Sequence, residues 1–156
     1  MAKKRKRKEV PVTLSYEIQV EDWEVDYHLS LNTIPPYLID GVFWESSRLI
    51  LIGQLISPVI ERVNKVEIEI VAKPQMDDHL KKESTIVSAK AIGSTEIPRG
   101  EDNLIFHCLV PSRSLPFIAT AVQSGRIKHV LMLGTKLKWR QGTISSLSLS
   151  TQRDAE

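Results

Sequence analysis

The chain has 156 residues, 42% hydrophobic and 26% charged, the make-up of one ordinary globular domain with enough apolar matter for a core. Its formal net charge of +2 joins six consecutive cations, Lys3, Lys4, Arg5, Lys6, Arg7 and Lys8, to a remainder in which 15 basic residues face 19 acidic ones. The single cysteine, Cys108, excludes an intrachain disulfide framework and fits a reducing compartment.

Residues 1–9 carry too much like charge to bury apolar surface, which predicts a disordered basic tail there and a single β domain over 10–152. Glu9, Pro11, Ser15, Glu17 and Gln19 interrupt what would be the apolar stretch of a signal peptide. From Val12 a period of two sets in: Val12, Leu14, Tyr16, Ile18 and Val20 alternate with Thr13, Ser15, Glu17 and Gln19, as in a half-buried strand. Glu21 and Asp22 break the pattern, after which Trp23, Val25, Tyr27, Leu29 and Leu31 alternate with Glu24, Asp26, His28 and Ser30. This is a second strand or a continuation past a bulge, with carboxylates on the solvent face of both halves.

Pro35, Pro36 and Asp40-Gly41 predict a loop over 32–41. Val42 to Ser57 reads as a strand whose Leu49, Ile50, Leu51 and Ile52 are apolar on both faces, and Gly53 marks a bulge or a close backbone approach. The apolar stretch Leu49 to Ile56 falls far short of the roughly 20 residues that span a bilayer, so the reading is a soluble, intracellular protein. Val63 to Lys73 is a one-sided strand, with Val66, Ile68 and Ile70 against Lys65, Glu67 and Glu69, and 75–84 is a polar connection.

Thr85 to Ile92 and Leu104 to Val110 are further strands, separated by a loop through Gly93, Pro98, Gly100 and Asp102. Leu115, Ile118, Ala119 and Val122 then switch to helical spacing, with Ser114 placed to cap the start and Gly125 to end it. Ile127 to Leu133, Thr135 to Arg140 and Thr143 to Ser150 read as strands, the last two joined by a Gln141-Gly142 turn. The expected fold is mainly β: an antiparallel β-sandwich or partly open barrel of about eight strands with one short helix near 114–124.

Charge is segregated along the chain. Glu9 to Ser47 holds eight acidic residues and no Lys or Arg, whereas Asn103 to Arg153 holds seven basic residues and no Asp or Glu. Lys3, Lys4, Arg5, Lys6, Arg7 and Lys8 resemble a nuclear localisation run or an arm that tracks phosphates, the plain alternative being a solubilising terminus. Arg126, Lys128, Lys136, Lys138 and Arg140 are candidates for a second anion-binding surface. Their plain alternative is cross-strand pairing with Glu17, Glu24 and Asp26, which would bring the two ends of the chain together.

Catalytic and metal signatures fail in turn. Asp77, Asp78 and His79 are adjacent, but neighbouring side chains rarely converge on one ion, and no Cys-x-x-Cys or His-Glu-x-x-His spacing occurs. His107 and Cys108 point to opposite faces of any strand, so adjacency makes no nucleophile and base. No phosphate loop, dinucleotide fingerprint or nucleophile elbow is present, and no cofactor or metal site is expected.

Tyr37, Phe43 and Trp44 are partner-anchor candidates, weighed against plain core packing. The expectation is a non-catalytic interaction or assembly module that binds a protein or itself as a homo-oligomer, without a membrane role. The alternative is a nucleic-acid or polyanion-associated protein using the tail and the basic C-terminal third. The expected location is cytoplasmic, or nuclear if the basic run acts as a targeting signal in a eukaryote.

Overall fold

A computed structural model describes residues 12–31, 43–73 and 91–151. Among these described residues seven strands and a helix follow one another as β1 (Thr13–Leu31), β2 (Phe43–Ser57), β3 (Lys65–Ala72), β4 (Gly93–Glu96), β5 (Asn103–Val110), α1 (Ser114–Gln123), β6 (His129–Thr135) and β7 (Gln141–Ser150). They close into a barrel in the order β1-β2-β3-β5-β4-β7-β6, with β6 returning to pair with β1. The mainly β fold expected from the alternation is therefore a closed barrel. The sheet is not wholly antiparallel, because β3 and β5 run parallel from Lys65 beside Asn103 to Ala72 beside Val110. No helix among the described residues is long and apolar enough to cross a membrane.

Alternation places one side chain in two inside. Tyr16 and Ile18, Leu49 and Leu51, Val66, Ile68 and Ile70, and Leu104, Phe106 and Cys108 meet Val130, Met132 and Ile144 in a single buried cluster. At its centre the Tyr16 and Phe106 rings meet edge to face, 5.3 Å apart at 74°, and the Tyr16 hydroxyl donates to the Thr135 carbonyl at 3.0 Å. Burial raises the Tyr16 phenol above its ordinary pKa. Helix α1 lies across the end of the barrel where β5 finishes and inserts Leu115 and Val122.

The sequence left open whether 12–31 is one strand or two. It is one strand, and Glu21 is its extra residue: Val20 pairs with Gly53 and Asp22 with Ile52, leaving Glu21 unmatched. A one-residue insertion flips side-chain parity, so the even apolar residues before it and the odd apolar residues after it share one face of the sheet. Gly53 marks a close approach, as expected, since a methyl there would fall onto the Gln19 carbonyl oxygen.

Several boundaries differ from expectation. The segment through Gly93 is strand β4, wedged so tightly against β5 that a Cβ on Gly93 would meet the His107 carbonyl; Thr85 to Lys90 lies outside the described residues. Of the strand expected over Thr135 to Arg140, Thr135 is the last residue of β6 and Lys136 to Arg140 form a connection. The hairpin turns at Trp139 and Arg140, both at positive φ (55° and 67°), with Lys138 and Gln141 exchanging backbone hydrogen bonds, while Gly142 lies within β7. The turn chemistry of Gln141-Gly142 misled because Gly142 is needed for close packing against Thr135 and Thr95. Ser114 does not cap α1: the N-cap position is Arg113, without a side-chain hydrogen bond. Gly125 does end it, at φ 70° with its amide on the Val122 carbonyl.

Replacing Gly53 with alanine is expected to cost about 2 kcal/mol or more in urea unfolding, because the methyl meets backbone and not a flexible side chain. Alanine at Gly100, which has open space but a φ of 78°, is expected to cost about 1 kcal/mol.

Candidate interaction surfaces

Among the described residues β1 has neighbours on both edges only from Glu17 to Val20. Thr13 to Gln19 pair with β6, and the Val20 amide reaches the Lys128 carbonyl at 2.8 Å. Beyond that, among the described residues, only β2 pairs with it, from Asp22 opposite Ile52 to Leu31 opposite Phe43. β2 in turn meets β3 only from Arg48 to Gly53. The distal halves of β1 and β2 therefore form a two-stranded arm rising from the α1 end of the barrel.

The arm carries the same apolar face as the core but lacks the opposing wall. Trp23, Val25, Tyr27 and Leu29 are 38%, 48%, 61% and 54% exposed, although their neighbours Leu49 and Leu51 are buried. Between the arm and α1 runs a groove of about 440 Å³ whose apolar lining includes Val25, Tyr27, Ala72, Leu115 and Ala119. The opposite face is ionic. Arg48 donates to Asp26 Oδ2 through Nε and Nη2 at 2.8 and 2.6 Å and reaches Glu69 Oε2 at 3.6 Å. His107 continues the row on β5, 3.9 Å from Glu69 and 3.5 Å from Glu96. The Asp26 hydrogen bond raises the Arg48 pKa, and the bond from Tyr27 to Glu45 (3.0 Å) raises that of the phenol.

Of the partner-anchor candidates, Phe43 and Trp44 fall at the distal end of β2, opposite Leu31 and Ser30, and Tyr37 lies outside the described residues. The tail candidates Lys3, Lys4, Arg5, Lys6, Arg7 and Lys8 also lie outside them. The five cations of the basic third do not form one patch. Arg126 and Lys128 sit in the connection from α1 to β6, near the base of the arm. Lys136 and Lys138 are exposed at the far end, where the Lys136 amide donates to the Val12 carbonyl at 3.0 Å.

Arg140 is committed to structure: its guanidinium donates to the carbonyls of Ile97, Pro98 and Glu101 at 2.8, 2.8 and 3.1 Å, bracing the 97–101 loop. The first third and the last third of the chain meet where β1 pairs with β6, but Asp26 pairs with Arg48 from the middle of the chain.

Sequence reasoning overlooked Trp139, which is 89% exposed on its hairpin tip, and the exposure of Val25, Tyr27 and Leu29. Period two identified their face correctly but says nothing about whether a second wall covers it. Cys108 is buried beside the Met132 sulfur at 3.9 Å. Among the described residues no three His, Cys, Asp or Glu side chains converge to hold a metal, and Asp77, Asp78 and His79 lie outside them. Comparison with protein families, characterised proteins and solved structures finds no match.

Burial pushes the Cys108 thiol up to about 12 from 9.0, so the native protein keeps it protonated where an unfolded chain ionises. Thiol-reactive dyes at pH 9 are expected to label only unfolded protein. The unfolded state loses this proton first, so the Cys108 contribution to stability is full below about pH 9 and declines as pH rises towards 12, measurable by denaturant midpoints.

Proposed function

We propose that the protein is a non-catalytic interaction module that binds protein by adding a strand to the arm. The observation that carries this reading is the distal half of β1, whose second edge meets no described strand while its apolar row stays exposed. An edge of this kind offers a line of backbone donors and acceptors for an incoming strand, and alternate side chains supply specificity. The groove beside α1 gives that strand an apolar surface to cover. Burial of four such side chains supplies on the order of 25 cal/mol per Å² removed from water, before the cost of ordering the partner.

A second reading, association with nucleic acid or another polyanion, is favoured by the far end of the barrel. There Val12 lies beside Lys136 and Lys138 precedes the exposed Trp139, which puts two cations and an open indole at the end of the barrel where the described chain begins, ten residues or fewer after the Lys3–Lys8 run in sequence. Single-stranded nucleic acid is held by such combinations of cations and stacking rings.

Replacing both Val25 and Tyr27 with aspartate is expected to leave the melting temperature within a few degrees and to abolish capture of protein partners by the purified, tagged chain. Unchanged capture removes the arm reading. For the second reading, anisotropy titrations of a single-stranded oligonucleotide should give a log affinity against log salt slope near −4 if all six tail cations contact phosphate, at about 0.7 per contact. Deleting residues 3–8 should bring it close to zero, and an unchanged slope excludes the tail.

A further inference from the structure

Resting on the arm reading above, we infer that the strand it receives is the basic Lys3–Lys8 run of a second copy, so that the protein assembles head to tail. Charge is the first reason. From Glu21 to Ser30 the arm holds four carboxylates, Glu21, Asp22, Glu24 and Asp26, and no Lys or Arg, and Glu45 adds a fifth on β2. Arg48 answers Asp26 and Glu69, and Lys128 stands only at the base, beside Val20. The chain itself contains the complementary segment, six consecutive cations.

Side-chain alternation is the second reason. A strand built from Lys3–Lys8 points Lys4, Lys6 and Lys8 to one face and Lys3, Arg5 and Arg7 to the other. The arm presents two matching faces: Asp22, Glu24 and Asp26 on one side, and Trp23, Val25 and Tyr27 on the other. Two ammonium groups meet Asp22 and Glu24, the carboxylates of that face that Arg48 does not answer, while the two guanidinium groups and their stems lie over the Trp23 and Tyr27 rings, where cation–π attraction and stem burial both operate.

Reach is the third. The tail enters β1 at Val12, and the arm begins at Asp22, ten residues along the same strand and up to roughly 33 Å away. Lys8 lies four residues before Val12, about 14 Å of extended chain, so within one copy only the outermost cations come near Asp22. Between copies, all six can pair. Donor tail and acceptor arm are different surfaces at opposite ends of β1, so the contact is heterologous, and its repetition gives open chains or a ring.

The test is sedimentation velocity of nuclease-treated full-length protein at low and high salt, with two variants. The tail variant carries Lys→Gln or Arg→Gln at all of positions 3–8, and the arm variant carries Tyr27→Asp with Glu24→Gln. The expected result is concentration-dependent chains for the unaltered protein at low salt, weakened at least roughly tenfold at 0.5 M salt. Each variant alone should be monomeric. Their equimolar mixture should form a capped 1:1 dimer, because one supplies an intact tail and the other an intact arm.

Three results overturn the inference: a monomeric unaltered protein, a monomeric mixture, or a tail variant that still associates. In the last case, loss of association in the arm variant means arm-to-arm pairing, and the arm reading survives. If the arm variant also associates undiminished, the arm reading falls too. Association that needs added oligonucleotide assigns the tail to polyanion binding.

Discussion

The architecture turns on the change of partners that β1 makes at Glu21. From Thr13 the strand pairs with β6, and from Glu17 to Gln19 it is held on both edges, by β2 and β6, which closes the barrel. Past the bulge it keeps β2 alone among the described residues. The change is enforced by local sterics: Gly53 lets the two backbones come together where a Cβ would strike the Gln19 carbonyl, and the unmatched Glu21 turns the strand while preserving the face of its apolar row. Without the extra residue, Trp23, Val25 and Tyr27 would move to the face that carries Asp26 and Arg48.

The core draws on the arm only through Leu49 and Leu51 of β2, while Trp23, Val25, Tyr27 and Leu29 of β1 lie outside the buried set. The buried set is complete within the seven strands and α1, centred on Tyr16 and Phe106, and its few polar groups are answered internally: the Tyr16 hydroxyl by the Thr135 carbonyl and the Thr95 hydroxyl by that of Ile105. The ionic row from Asp26 to Glu96 lies on the outer face, where water screens each pair and the contribution to stability is small. Substitutions of the exposed β1 side chains on the arm therefore bear little on folding, and the binding proposed for them can be tested separately from stability.

Much of this fold was legible because alternation and helical spacing are local properties. Val66, Ile68 and Ile70, or Leu104, Phe106 and Cys108, announce a strand face by themselves, and Leu115 to Val122 announce a helix. What local pattern cannot contain is neighbour identity. The parallel pairing of β3 with β5, the closure by β6, and the absence of a described second partner for the arm all concern residues far apart in sequence. Trp139 and Arg140 were read as strand because neither is a customary left-handed residue; the hairpin imposes positive φ on them and is braced where Arg140 grips the 97–101 carbonyls. One clue to the arm did lie in the sequence. Two alternating runs joined by a bulge make a 19-residue strand, far longer than the usual five or six and longer than this small barrel encloses.

An unshielded strand edge beside an apolar row invites indiscriminate pairing, and proteins restrain such edges with charge. The arm's carboxylates act in this way towards a second arm, since Glu24 and Asp26 on two antiparallel edges would be brought close together. The same charges are not neutral between partners. On the proposed strand-addition reading they would repel an acidic or identical edge and attract a cationic one, so a single row of side chains would both suppress one association and favour another. Selectivity of this form needs no pocket of fixed shape. That suits a surface of two strands and one groove, and the acidic residues of the sequence are concentrated along the stretch of β1 whose second edge meets no described strand.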